Sequence, residues 1–149
     1  MDTYLFDKYS KPVLRIGMSL VFLYFGFQQV TNPGDWAGFV PRFVQGFGLS
    51  VNNIVMINGI MELTLGTFLI IGLYTRLSSL ILSLHLFGIA FSIFSTSTDL
   101  GVRDFGLAIA TLVVFFNGVD YYCIDNKFKR KEVNELVVEM KEENQSQIL

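Results

Sequence analysis

Charge is almost absent from the middle of this chain, and that constrains its fold more than any other feature. Of 11 basic and 13 acidic side chains, four fall in residues 1–11 (Asp2, Asp7, Lys8, Lys11) and twelve in residues 120–149. Eight remain for residues 12–119: Arg15, Asp35, Arg42, Glu62, Arg76, Asp99, Arg103 and Asp104. A water-exposed surface needs charge and a lipid-exposed one excludes it, so this stretch reads as a membrane-embedded body with polar ends. The 149 residues are 52% hydrophobic with a mean hydropathy of +0.50, which fits one membrane domain better than a soluble one. The boundaries expected are a terminus over 1–11, a membrane domain over 12–122 and a polar tail over 123–149.

Several function classes drop out at once. A net charge of −2 provides no basic field, so nucleic acid is not an expected partner. One cysteine, Cys123, allows no dithiol relay and no cysteine-rich metal cluster, and one histidine, His85, allows no bis-histidine haem within the chain. No metal site is expected. Neither GxGxxG nor GxxxxGK[ST] occurs, so nucleotide, flavin and nicotinamide binding are not signalled. No small-residue cleavage site follows the apolar run from Val13 to Val30, so that run is expected to be retained as a span.

Four apolar segments can be drawn, over residues 12–30, 51–74, 77–96 and 102–122. At ~1.5 Å per residue, each is long enough as a helix to cross a ~30 Å hydrocarbon layer. Helix is the only sensible form, because an open sheet leaves backbone groups unpaired in lipid and no alternating pattern suggests a barrel. The short connections at Tyr74–Arg76 and at 96–101 predict antiparallel neighbours. The expected fold is therefore all-α, an integral membrane up-and-down four-helix bundle.

Basic residues set the orientation. Lys8, Lys11, Arg15, Arg76, Lys127, Lys129, Arg130, Lys131 and Lys141 share one side, against Arg42 and Arg103 opposite, which predicts cytoplasmic termini in the plasma membrane. Arg15 and Arg76 then read as topogenic residues whose side chains snorkel to the inner face. The long outer connection, residues 31–50, carries Trp36, Phe39, Val40, Phe43 and Phe47 at helical spacing, interrupted by Gly34, Gly38, Pro41, Gly46 and Gly48. Short interfacial helices over the outer mouth are predicted, acting either as a lid or as an aromatic anchor. In the tail, Lys127, Lys129, Arg130 and Lys131 favour anionic lipid. Val133, Leu136, Val137 and Met140 form one apolar stripe for a membrane surface or a partner; the alternative is a solvated topogenic tail.

Polar residues within the spans are costly and are the first places to look for function. Counting residues from the inner ends places Glu62, His85 and Thr111 at ~12–18 Å, near mid-bilayer, and Gln28, Asn58, Arg103 and Asp104 at ~24–27 Å. Glu62 shares a helix face with Asn58, Gly59 and Gly66, which turns its carboxyl toward the bundle interior. His85 shares a face with Gly88 and Ser92. A column from Arg103 through Asn58 to Glu62 would make a polar cavity between the spans; the alternative is a structural carboxyl satisfied locally. Cys123 is expected to be inert.

Arg15-Ile16-Gly17, Gly26-Phe27-Gln28, Asn58-Gly59-Ile60-Met61-Glu62 with Gly66, Gly72-Leu73-Tyr74-Thr75-Arg76 and Val102-Arg103-Asp104-Phe105-Gly106-Leu107 occur in order over residues 12–120. Together they resemble the DoxX family of small integral membrane proteins. That resemblance implies a relation to quinone-linked oxidoreductase subunits, although most members have no assigned reaction, and more distant relatives include membrane chaperones. The family's first span often ends in Lys where Gln28 stands here. With no redox centre of its own, the chain would be at most a quinone-facing subunit beside a membrane redox partner, or act as a homo-oligomer. Glu62 and His85 would then be catalytic in handling protons, and Arg103, Asn58 and Gln28 would bind quinone oxygens, with Asp104 and Trp36 completing the ligand site. A non-enzymatic chaperone, assembly or scaffold protein and a binder of another lipid are the competing readings.

Overall fold

The computed structural model describes residues 3–45, 48–94 and 97–127, together with 131, 133, 136, 137 and 140. Phe47, Lys129 and Arg130 lie outside the described residues, as do the side chains of Arg42 and Phe43. The described chain is helical: α1 (Thr3–Thr31), α2 (Pro33–Trp36), a 3-10 turn (Ala37–Phe39), α3 (Arg42–Gln45), α4 (Val51–Ile71), α5 (Thr75–Ile93) and α6 (Thr98–Asn117). Among the described residues, three helices are long and apolar enough to cross a membrane, over Lys8–Thr31, Val51–Ile71 and Thr75–Ile93.

Helices α4 and α6 bury mainly small and polar residues and expose apolar ones, the reverse of a soluble bundle. The buried stripe of α4 is Val55, Gly59, Glu62, Gly66 and Leu69, and that of α6 is Gly101, Asp104, Ala108, Thr111 and Val114. Both stripes follow the helical repeat and are small or polar apart from Val55, Leu69 and Val114. The opposite faces carry bare apolar side chains such as Ile57, Ile60, Phe91, Val102 and Phe116. Three buried hydroxyls are satisfied by backbone carbonyls: Ser19 Oγ donates to that of Arg15 at 2.7 Å, Ser79 Oγ to that of Thr75 at 2.7 Å, and Ser83 Oγ across to that of Ala108 at 2.9 Å.

The helices associate as two intimate pairs, α1 with α4 and α5 with α6. Glycine explains the first. A Cβ on Gly26 would lie 2.8 Å from the Gly59 carbonyl oxygen, and one on Gly59 would lie 2.8 Å from the Gly26 oxygen, so the two backbones touch. The tight turn after α4 makes α4 and α5 consecutive, but their contact is far less extensive than that within either pair. A core of Met18, Phe22, Leu69, Leu82, Leu86, Ala108 and Val114 joins the pairs.

Several helix boundaries differ from the hydropathy reading, and α5 runs over Thr75–Ile93 rather than 77–96. Helix α1 begins well before Pro12, which deprives the Lys8 carbonyl of a donor without ending the helix. Helix α4 stops at Ile71 because Gly72 takes φ +72 and its N–H, with that of Leu73, turns back onto the carbonyls of Leu69 and Phe68. Helix α6 starts at Thr98 and ends before Gly118 at φ +65, so the polar Thr98–Gly101 stretch is its first turn rather than a loop, and the residues through Tyr122 lie beyond it.

Those residues fold back under the α4–α5 turn. Asp125 Oδ1 accepts the Tyr74 N–H at 3.0 Å and Oδ2 the Thr75 N–H at 2.9 Å, capping the start of α5 and holding Tyr74 at φ +48. Cys123 packs against Gly72, where a Cβ would come within 2.5 Å of the Cys123 Cα. Burial pushes the Cys123 thiol up from its ordinary range, partly offset by a hydrogen bond with Thr75. Arg15 corrects the snorkelling expectation. It is 2% exposed, its Nε donates to Asp120 Oδ2 at 2.7 Å, and its Nη1 donates to the carbonyls of Leu69 and Ile70, the last turn of α4. Arg76 remains exposed.

Candidate functional site

Between the two helix pairs lies a cavity of about 520 Å³, lined by all four long helices. Its walls come from Val21, Phe22, Phe25 and Gln29 of α1, Ile54, Val55, Asn58 and Glu62 of α4, Leu84, His85, Leu86, Gly88, Ile89, Ser92 and Ile93 of α5, and Leu100, Arg103, Asp104 and Leu107 of α6. Residues 31–50 contribute Trp36, Phe39, Val40, Pro41 and Val44, so the short helical segment forms one wall. Trp36 meets the Phe25 ring edge-on at 5.6 Å and Phe39 at 6.1 Å.

Within this largely apolar wall is one connected polar group. Asn58 Nδ2 donates to Gln29 Oε1 at 2.7 Å and to Glu62 Oε1 at 3.1 Å, while Gln29 Nε2 donates to Glu62 Oε2 at 3.3 Å. Both carboxyl oxygens of Glu62 therefore accept an amide N–H, which is how a residue only 2% exposed at this depth is tolerated. His85 Nε2 stands 3.3 Å from Glu62 Oε1. That contact is close enough for a charge pair if the ring is protonated, but it is not aligned as a hydrogen bond, and Nε2 is buried without a partner.

Arg103 is arranged differently from the expected column. Its Nε donates to Asp104 Oδ1 at 2.8 Å and its guanidinium lies 5.3 Å from the centre of the Phe25 ring. Arg103 and Glu62 thus share the cavity wall through separate partners. Glu62, His85, Asn58, Arg103, Asp104 and Trp36 converge on one space, whereas Gln28 is absent from its wall. The amide in the site is that of Gln29. Its helical register was a usable signal, since Arg15, Met18, Phe22, Gly26 and Gln29 follow one stripe of α1 and Gln28 lies beside it. Among the described residues, no group of three or more His, Cys, Asp or Glu is placed to hold a metal ion.

Chemically, the arrangement offers an apolar slot with two carboxyls (Glu62 and Asp104), one imidazole and one guanidinium in its wall. This is the usual composition of a small-molecule site, with apolar walls and a few convergent polar groups. In comparison with known proteins, residues 11–95 match the model of the DoxX family, which is more than half of the chain and takes in α4, α5 and most of α1. No curated protein and no solved structure matches.

Proposed function

We propose, starting from the fact that this chain belongs to the DoxX family, that all four long helices cross the plasma membrane and that the cavity between them holds a lipid-soluble ligand of the quinone type. The protein would then serve a membrane redox system as its ligand-facing subunit. A fourth span is supported by α6, where Val102, Phe105, Ile109, Val113 and Phe116 are exposed at spacings of three and four residues, forming an apolar face that needs lipid beside it. The bias of basic residues toward the side of the termini supports cytoplasmic ends. Single cysteines introduced for Asp35 and Lys127 in a Cys123→Ser background test this topology. A membrane-impermeant maleimide should label the first from outside intact cells and the second only after permeabilisation; the reverse pattern would invert the orientation.

One observation carries the ligand reading: Glu62, nearly fully buried, lines a cavity instead of a packed interface, and two side-chain amides are committed to holding it there. Trp36 is the sole tryptophan and stands in the same wall, so its fluorescence reports on the cavity directly. Menadione added to the detergent-solubilised protein should quench Trp36 saturably. Glu62→Gln, which keeps the shape but removes the charge, should weaken that binding by about tenfold, the equivalent of about 1.4 kcal/mol. Quenching that never saturates and is equal in both proteins would return the chain to a scaffold or assembly role.

A further inference from the structure

Arg103 leaves most of its hydrogen-bonding capacity unspent in the cavity wall. A guanidinium carries five N–H groups and no acceptor. The Nε–H is committed to Asp104 Oδ1 at 2.8 Å, and neither Nη atom is bonded to a described residue. The group is nevertheless held in place. Asp104, itself buried, fixes the Nε edge, and the Phe25 ring of α1 has its centre 5.3 Å from the guanidinium carbon. Phe25 meets Trp36, and Trp36 meets Phe39, so the guanidinium is one end of an aromatic series within the wall. The Arg103 side chain, which lines the cavity, is 45% exposed, whereas Gln29 and Glu62 are buried and bonded to each other and to Asn58.

These surroundings define the atom that the Nη groups can take. They only donate, so it is an acceptor. The wall holds two carboxyls, Glu62 and Asp104, against this one guanidinium, so an anionic head group would add a third negative charge. A cationic head group would meet the guanidinium itself. An uncharged oxygen meets neither obstacle, and a carbonyl oxygen has two lone pairs to offer the two Nη–H groups at the end of the fork.

We infer that Arg103 is the specificity-determining residue of this cavity, and that its Nη atoms recognise the carbonyl oxygen of an uncharged, otherwise apolar ligand. The inference rests on the ligand-binding reading of the cavity and specifies which group of the chain selects the ligand.

The test compares menadione with 2-methylnaphthalene, which has the same ring system and methyl group but no oxygen, and with decanoate, an apolar chain ending in a carboxylate. Binding of each to the full chain in detergent is measured by calorimetry for wild type, for Arg103→Met and for the double variant Arg103→Met, Asp104→Asn, in which no unpaired carboxylate is left buried. Helicity by circular dichroism confirms that each variant is folded. Wild type should bind menadione more tightly than either other compound. Both variants should lose about tenfold or more in menadione affinity, the share of hydrogen bonds from a charged donor, while 2-methylnaphthalene binding stays within about twofold. The ratio of the two affinities is the deciding quantity, because a variant that merely loosens the bundle weakens both compounds alike. An unchanged ratio in the folded variants would overturn the assignment of Arg103 while leaving the cavity a binding site, and decanoate binding wild type more tightly than menadione would overturn the uncharged ligand class. Failure of all three compounds to bind wild type would overturn this inference and the ligand reading together.

Discussion

Replacing Asp120 with Ala should destabilise the protein by about 3–5 kcal/mol, the cost of leaving one member of a buried ion pair without its partner. Arg15 and Asp120 side chains are 2% and 3% exposed, so water cannot substitute for the lost carboxylate. The guanidinium would retain only the carbonyls of Leu69 and Ile70. The loss extends beyond the pair, because Asp120 Oδ1 also accepts the Tyr122 N–H at 2.8 Å and so orders the segment leading to the Asp125 cap. Chemical unfolding in detergent measures the effect. The double variant Arg15→Met, Asp120→Ala should be less destabilised than the sum of the two single changes, since no unpaired charge is then buried. Additive losses would mean that the two side chains do not act as a pair.

A comparable loss is expected from Gly59→Val. Its side chain would be directed at the Gly26 carbonyl, 2.8 Å from the new Cβ, and at Gln29 Cβ, 2.9 Å away. Because the first obstacle is backbone, the α1–α4 pair must separate, which places the cost at or above the upper end of the usual overpacking range of about 1–3 kcal/mol. Separation would also pull Gln29 away from Glu62, so menadione binding should fall together with stability. Gly17→Ala is the matched control, since nothing lies within 4 Å of its added Cβ. Similar unfolding midpoints for the two variants would show that close backbone approach does not hold α1 to α4.

The sequence-level expectations succeeded where the governing property is local. Hydropathy over a segment decides whether it can sit in lipid, and the spacing of Asn58, Gly59, Glu62 and Gly66 follows from the helical repeat alone; hence the helical character, the inward carboxyl and the short helices of residues 31–45 were legible. The proximity of His85 to Glu62 was also accessible, because depth in a bilayer can be counted along each helix. The choice between Gln28 and Gln29 required the rotation of α1 about its axis. That register was written in the Arg15–Phe22–Gly26 stripe, but depth alone treats adjacent residues as equivalent.

Arg15 marks the limit of such reasoning. Its distance from the membrane face suggested a side chain reaching for water, and nothing near it in the chain indicates otherwise. Its partner is 105 positions away, in a polar segment after the last long helix. The same holds for Asp125 on the α5 start and for Arg103, which pairs with its neighbour Asp104 and lies against Phe25 rather than reaching toward Glu62. Which helices exist and which faces tolerate lipid are properties of single segments, set by residue type and period. Whether a charged side chain meets water, a carboxylate or an aromatic ring depends on how the helix pairs pack and how the chain after α6 folds back, and those arrangements arise from contacts between segments far apart in the chain.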